Sequence, residues 1–168
     1  MAQAAKDTLI AYIQENQERL YKMAYMYTRN QELALDVVQE AITKSLENIA
    51  KLRQEEFLKT WFYRILINES LKVVRKNKKI IECELQEDAK YLQSHEETLV
   101  ENLDIYQSLQ KLEIKTRTVI LLRFFENLKI EEIAKITHTN TNTVKSRLYK
   151  GLREMRKDME KHYSEKIE

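Results

Sequence analysis

Apolar side chains recur at helical spacing through the first half of the chain, in three blocks. The first block predicts a helix over residues 9–28 with one buried stripe: Leu9, Ile13, Leu20, Met23, Ala24 and Tyr27. The second block predicts a helix over residues 32–49, buried along Leu35, Val38, Ile42 and Leu46. Residues 51–57 interrupt the pattern as a loop, and a third helix is predicted over residues 58–79, buried along Phe62, Leu66 and Val73.

The apolar pattern weakens after residue 80 and returns near residue 105. Five residues then predict a second helical core: Leu109, Leu112, Val119, Leu122 and Phe125. Residues 130–153 predict a helix, a short polar turn and a second helix, which Asn140 or Thr141 is placed to cap. The fold is therefore predicted to be all-α, with two small helical domains at residues 1–79 and 105–168 and a linker at residues 80–104.

The last predicted helix has an outer face of cations and hydroxyls. With Val144 and Leu148 turned to a core, the outward residues are Lys145, Ser146, Arg147, Tyr149 and Lys150. Such a face suits the major groove of DNA, where cations hold phosphates and short or forked donors read base edges. A charged helix face is as often simply solvated, so two helices in isolation leave DNA binding and plain packing at even odds.

The second and third predicted helices also have outer faces with distinct chemistry. The second presents an acidic, amide-bearing face: Asp36, Gln39, Glu40, Thr43 and Glu47. It could dock a basic partner helix, although spacing alone favours a solvated face. The third mixes an aromatic residue with cations: Trp61, Arg64, Ile65, Asn68, Lys72, Arg75 and Lys76. Single-stranded DNA binding uses this mixture, while the spacing favours a core position for Trp61 over a stacking one.

Charge is segregated along the chain, although the net charge is only +2. Residues 1–79 carry 14 Lys and Arg against 10 Asp and Glu, residues 80–110 carry 1 against 8, and residues 111–168 carry 14 against 9. Two basic blocks therefore flank an acidic connector. Basic blocks fit a nucleic-acid partner, because each cation that meets a phosphate releases counterions. An acidic stretch that is merely solvated fits this distribution equally well.

Several function classes are disfavoured by composition. No stretch is long and apolar enough for membrane insertion, and the N-terminus lacks a signal-peptide pattern, so the protein is expected in the cytoplasm. Cys83 is the single cysteine, which excludes a disulfide framework and, with three scattered histidines, disfavours a metal site. The sequence contains no acid, base and nucleophile in a pattern that would predict an active site. It also contains no glycine-rich loop that would predict a cofactor site.

Three segments together resemble the sigma-70 superfamily, and within it the short extracytoplasmic-function (ECF) sigma factors. Residues 36–41, DVVQEA, resemble the region 2.2 segment of that family. Residues 60–65, TWFYRI, followed by Asn68, resemble regions 2.3 and 2.4, and residues 143–148, TVKSRL, match region 4.2. The resemblance covers nearly the whole chain, and the three motifs occur in the order of the family.

The resemblance implies partners and residue roles. RNA polymerase core would be bound at its beta-prime clamp helices and beta flap, with the clamp helices meeting Asp36, Gln39, Glu40 and Thr43. Promoter DNA would be melted and read at the minus-10 element by Leu52, Trp61, Arg64, Asn68, Lys72, Arg75 and Lys76. The minus-35 element would be read by Thr143, Lys145, Ser146, Arg147, Tyr149 and Lys150. An anti-sigma factor, often membrane-anchored in this family, would control the protein.

Two other function classes stay open at this point. A stand-alone helix-turn-helix regulator would bind duplex DNA tightly by itself, usually as a dimer, and the sequence has no identifiable dimerisation seam. A protein-only adaptor would have both basic faces solvated. Its binding to DNA would show no steep dependence on salt.

Overall fold

The computed structural model describes residues 2–78 and 103–167, which fall into two compact units. The helices of the first unit are α1 (Ala2–Thr28), α2 (Gln31–Asn48) and α3 (Leu58–Lys76). Those of the second are α4 (Leu103–Lys111), α5 (Ile114–Ile120), α6 (Ile130–Thr137) and α7 (Thr141–Ile167). Every regular element of the described residues is helical, which confirms the predicted all-α class. The predicted linker lies outside the described residues except for its last two positions, which begin α4.

The first unit is a bundle of three helices that all pack against one another. The stripe predicted for α1 is buried at all six positions. Phe62, Tyr63 and Leu66 of α3 are fully buried against it, and the ring of Tyr12 meets Phe62 edge-on with 6.0 Å between ring centroids. Asn30 begins α2, since its side-chain oxygen accepts from the Leu33 amide at 2.8 Å.

The buried face of α2 differs from the predicted one. The structure buries the small residues Ala34, Ala41 and Ser45 together with Val37, and it leaves Leu35 51% exposed. The other predicted core residues, Val38, Ile42 and Leu46, are half-buried. The physical reason is that small side chains let α2 approach α1 and α3 closely, which turns the large apolar side chains toward the surface.

The second unit is assembled on α7, which contacts α4, α5 and α6. Leu109, Leu112, Val119 and Leu122 are buried as predicted, whereas Phe125 is 39% exposed. The chain widens to a π-helical turn over Leu121–Phe125, which changes the direction of the last side chains relative to a regular α-helix. The expectation of a buried Phe125 was therefore wrong.

Gly151 lets α7 pack directly on α5. A Cβ atom at this position would lie 2.7 Å from Cγ2 of Thr116 and even closer to the Ile120 side chain. On another side, α5 is joined to the end of α4 by buried Arg117. Its guanidinium donates to the carbonyl oxygens of Leu109 and Leu112 at 3.0 and 3.1 Å. These bonds satisfy carbonyl groups at the end of α4.

The longest helices of the described part are α1 and α7, with 27 residues each. At a rise of about 1.5 Å per residue such a helix could in length cross a bilayer. Charged residues occur along both helices, however, and none of the helices over residues 2–78 and 103–167 combines the necessary length with the necessary apolar character.

Candidate nucleic-acid interface

The acidic face of α2, formed by Asp36, Gln39, Glu40 and Thr43, is exposed along its whole length. These residues are three or four positions apart, so they share one side of the helix. Leu35 lies one turn before Gln39 on the flank of this face and is the exposed apolar residue that sequence reasoning placed in the core. Carboxylates beside exposed apolar surface are suited to contact with a basic protein helix, and they disfavour contact with DNA.

The tryptophan face of α3 brings together Trp61, Arg64, Asn68, Lys72 and Arg75 at spacings of three or four residues. The last four are exposed, and so is Lys76 on the edge of the face. Trp61 is not part of the buried core, since its side chain is half-buried at the start of the face. An indole at the surface followed by an amide and cations can stack bases and follow a phosphate backbone.

The segment between α2 and α3 is more ordered than the predicted loop. It consists of two 3₁₀ turns, Ile49–Lys51 and Glu55–Phe57, and Leu52 is half-buried between them. Phe57 is 43% exposed immediately before α3, and the sequence analysis did not single it out. Its position four residues before Trp61 was the available signal, because that spacing places two aromatic rings on one side of a helix start.

The turn between α6 and α7 has the predicted form, with Asn140 as the cap. Its side-chain oxygen accepts from the Thr143 amide at 2.8 Å. His138 ends α6 in the left-handed region with a φ of 55°. At the other end of α6, the Lys129 amide donates to Glu132 at 2.7 Å. This is half of a capping box, since a lysine side chain has no acceptor for the return bond.

The basic face of α7 comprises Lys145, Ser146, Tyr149 and Lys150, all of which are exposed. Thr143 and Arg147 flank it and are half-buried. Val144 and Leu148 are buried on the opposite side, as the apolar stripe predicts, and Gly151 is buried beside them. The face therefore lies on the first turns of a helix held rigidly from behind, which is the arrangement that a major-groove helix requires.

The acidic face and the tryptophan face belong to the first unit, and the basic face belongs to the second. In the described residues, no three His, Cys, Asp or Glu side chains are grouped as a metal ion would require.

Comparison with known proteins accounts for both units. Residues 12–80 match the family described as Sigma-70 region 2, and residues 102–155 match Sigma-70, region 4. RNA polymerase sigma factor SigV of Bacillus subtilis (strain 168) is 42% identical over 154 residues, which are 92% of each chain. The chain belongs to the sigma-70 superfamily, as an ECF sigma factor.

Other sigma factors share less of the sequence. The ECF RNA polymerase sigma factor SigW of Bacillus subtilis (strain 168) is 28% identical over 84% of this ECF sigma factor and 83% of its own length. Among solved structures, the sigma factor RpoE in complex with the anti-sigma factor NepR from Bartonella quintana has a TM-score of 0.68 at 21% identity, covering 89% of this chain and 97% of that one. CnrH in complex with the cytosolic domain of CnrY has a TM-score of 0.71 at 15% identity, covering 95% and 94%. These structures share the fold.

Proposed function

We propose that this ECF sigma factor acts in the cytoplasm, binds RNA polymerase core through the acidic face of α2 and directs it to promoters through the tryptophan and basic faces. The observation that carries the proposal is the chemical difference between the exposed faces. One is acidic and flanked by exposed Leu35, and the other two are rich in cations. The first suits a basic protein partner and the other two suit nucleic acid.

Polymerase binding is assigned to Asp36, Gln39, Glu40 and Thr43 at the beta-prime clamp helices. Partly exposed Leu35, on the flank of this face, adds an apolar contact whose burial against polymerase would contribute to affinity. The beta flap is proposed to bind the second unit.

Minus-10 recognition is assigned to the tryptophan face, Lys76 and Leu52. A base can be read on its own edge only after it has left the duplex stack. Half-buried Trp61 offers a ring for stacking, exposed Asn68 offers a donor and an acceptor, and half-buried Leu52 lies in the ordered segment before α3. The cations Arg64, Lys72, Arg75 and Lys76 are proposed to follow the phosphates.

Minus-35 recognition is assigned to Thr143, Lys145, Ser146, Arg147, Tyr149 and Lys150. All six lie in the first three turns of α7, after the Asn140 cap. Half-buried Arg147 is more restricted than the exposed lysines, and a restricted guanidinium is suited to a bidentate contact with a guanine edge.

Control by an anti-sigma factor is part of the proposal, and we propose that this factor is anchored in the membrane. Support comes from the fold shared with RpoE, which was solved with the anti-sigma factor NepR. The inhibitor is expected to cover the acidic face. A photo-crosslinker placed at Leu35 should therefore capture the same protein that competes with core polymerase for binding. An anti-sigma factor that binds while core association stays intact would contradict this part.

Run-off transcription with purified core polymerase on fragments of host genomic DNA tests the function as a whole. Discrete transcripts that appear only with this protein, and that share an upstream sequence, are the expected result. Tight binding to duplex DNA without core, and no transcripts with core, would instead identify a stand-alone helix-turn-helix regulator.

A further inference from the structure

Lys44 is a cation between the acidic face and α3. Its ammonium group donates a hydrogen bond to Oε1 of Glu69 on α3, and it lies 3.8 Å from Oε1 of Glu40 on its own helix. Glu40 belongs to the acidic face, and Glu69 directly follows Asn68 of the tryptophan face. A single side chain therefore touches the element assigned to polymerase and the element assigned to the minus-10 bases.

The three charged side chains differ in how much of each is exposed to solvent. The Glu40 side chain is 53% exposed, that of Lys44 is 34% exposed and that of Glu69 only 9%. A carboxylate with so little access to water depends on its cation, because an uncompensated buried charge is strongly unfavourable. The carboxylate of Glu40 is exposed enough to be solvated by water, so it does not depend on Lys44. Lys44 is thus indispensable to Glu69, and Glu40 attracts it from the surface.

Lys44 remains charged in this environment. The hydrogen bond to Glu69 raises the pKa of Lys44 above its ordinary value, and the charges of Glu69, Glu40 and Glu47 add to that effect while partial burial opposes it. The groups that set the position of this ammonium are thus three carboxylates, two on the exposed side of α2 and one on α3. Any cation that binds Glu40 from outside changes the balance among them.

We propose that Lys44 is a positioning residue that couples polymerase docking to opening of the minus-10 element. The inference rests on the proposed function. When a basic side chain of polymerase pairs with Glu40, the attraction of Glu40 for Lys44 is cancelled, and the hydrogen bond to Glu69 becomes the dominant contact of the ammonium group. The position of α3 relative to α2 then becomes fixed, and with it the direction of Asn68 and Lys72. Docking favours this arrangement because a polymerase cation at Glu40 repels the Lys44 ammonium toward Glu69.

The test uses the full chain with core polymerase on two forms of one promoter, a complete duplex and a template mismatched across the minus-10 bases. Lys44→Met should bind core within about twofold of wild type yet form at least about tenfold fewer open complexes on the duplex. The mismatched template should restore activity, because its minus-10 bases are already unpaired and the opening step that depends on α3 is not needed. Lys44→Arg, which keeps the charge, should retain opening of the duplex.

Two further variants separate coupling from stability. Lys22→Met removes an exposed lysine that pairs with Glu18 at 2.9 Å on α1, and it should open both templates like wild type. The double variant Lys44→Met with Glu69→Gln removes the pair without leaving a buried unpaired charge. It should regain the thermal stability of wild type and still fail on the duplex.

Three results would overturn the coupling. These are full duplex opening by either Lys44→Met or the double variant, an equal loss on both templates, or a loss of core affinity that accounts for the whole defect. Failure of the wild-type protein to support any core-dependent transcript would instead overturn the proposed function, and the coupling with it. The transcription result for the wild-type protein alone distinguishes failure of the proposed function from failure of the coupling.

Discussion

Helices α2 and α7 both pack through small residues, yet they leave different surfaces outside. In α2 the small residues Ala34, Ala41 and Ser45 occupy the interior, and large apolar side chains such as Leu35 remain partly exposed beside carboxylates. In α7 the interior holds Val144 and Leu148 as well as Gly151. The exposed residues of its first turns are Asn142, Lys145, Ser146, Tyr149 and Lys150, and its exposed aliphatic side chains Leu152, Met159 and Ile167 come after this basic face. The difference teaches that an exposed leucine beside carboxylates marks a face suited to a protein partner, while a face of cations and hydroxyls without aliphatic side chains is suited to DNA.

The contrast between buried Leu148 and partly exposed Leu35 gives the largest expected effect. Leu148→Ala should lower the free energy of unfolding of the second unit by about 3 kcal/mol, because it removes a buried side chain and leaves a cavity. Leu35→Ala should change the stability of the first unit by less than about 0.5 kcal/mol. Urea unfolding followed by circular dichroism measures both, with Trp61 fluorescence as a separate reporter of the first unit. Equal losses would mean that both leucines are structural.

Charge reversal on α2 tests the docking role directly. Asp36→Arg with Glu40→Arg should weaken association with core polymerase about 100-fold, equivalent to about 2.7 kcal/mol, because two attractions become repulsions. Fluorescence anisotropy of labelled protein measures the affinity. Glu15→Arg with Glu18→Arg, on exposed positions of α1, is the matched control and should leave core affinity unchanged. Wild-type affinity after the change on α2 would remove the polymerase assignment.

On α7 the corresponding change removes one cation beside the basic face. Arg147→Ala should reduce promoter binding by the holoenzyme roughly tenfold, since a bidentate contact to a base is worth about 1–3 kcal/mol. Core association should stay at its wild-type level. Arg156→Ala is the control, because Arg156 is exposed on the same helix and its partner is Glu160, 3.0 Å away. A loss of core affinity in Arg147→Ala would indicate damage to the fold.

The smallest expected effect concerns the turn that orients α7. His138 has a φ of 55°, a conformation that costs an L-residue about 1–2 kcal/mol and glycine almost nothing. His138→Gly should therefore raise the stability of the second unit by about 0.5–1 kcal/mol, after allowance for the greater freedom of glycine in the unfolded chain. Thermal unfolding measures the change, and His138→Ala should give no such gain.

Much of the architecture could be predicted because helical periodicity is a local signal. The buried stripes of α1 and α7 and the Asn140 cap follow from the side chains of a few neighbouring residues. The error at α2 arose because Leu35, Val38, Ile42 and Leu46 form the more apolar stripe, while the close approach of α1 and α3 selects Ala34, Val37, Ala41 and Ser45. That choice depends on the partner helices, which a pattern within one helix does not contain.

The sequence predicts which residues share each candidate face, but it does not predict the contacts between side chains of different helices. Spacing alone places Asp36, Gln39, Glu40 and Thr43 together. The bond between Lys44 and Glu69 joins positions 25 residues apart, so no periodicity within one helix could have found it. The π-helical turn that exposes Phe125 likewise depends on how α5 ends against its neighbours.

Helix α7 continues without interruption from the cap at Asn140 to Ile167. At about 1.5 Å per residue this is a rod about 40 Å long, whose far part is tied to α4 by the contact between Lys111 and Asp158 at 2.6 Å. Its two ends must rotate together. A dye attached rigidly at exposed Tyr163 would therefore rotate with the whole helix. Its fluorescence polarisation would report the angle between α7 and promoter DNA without any label near the DNA.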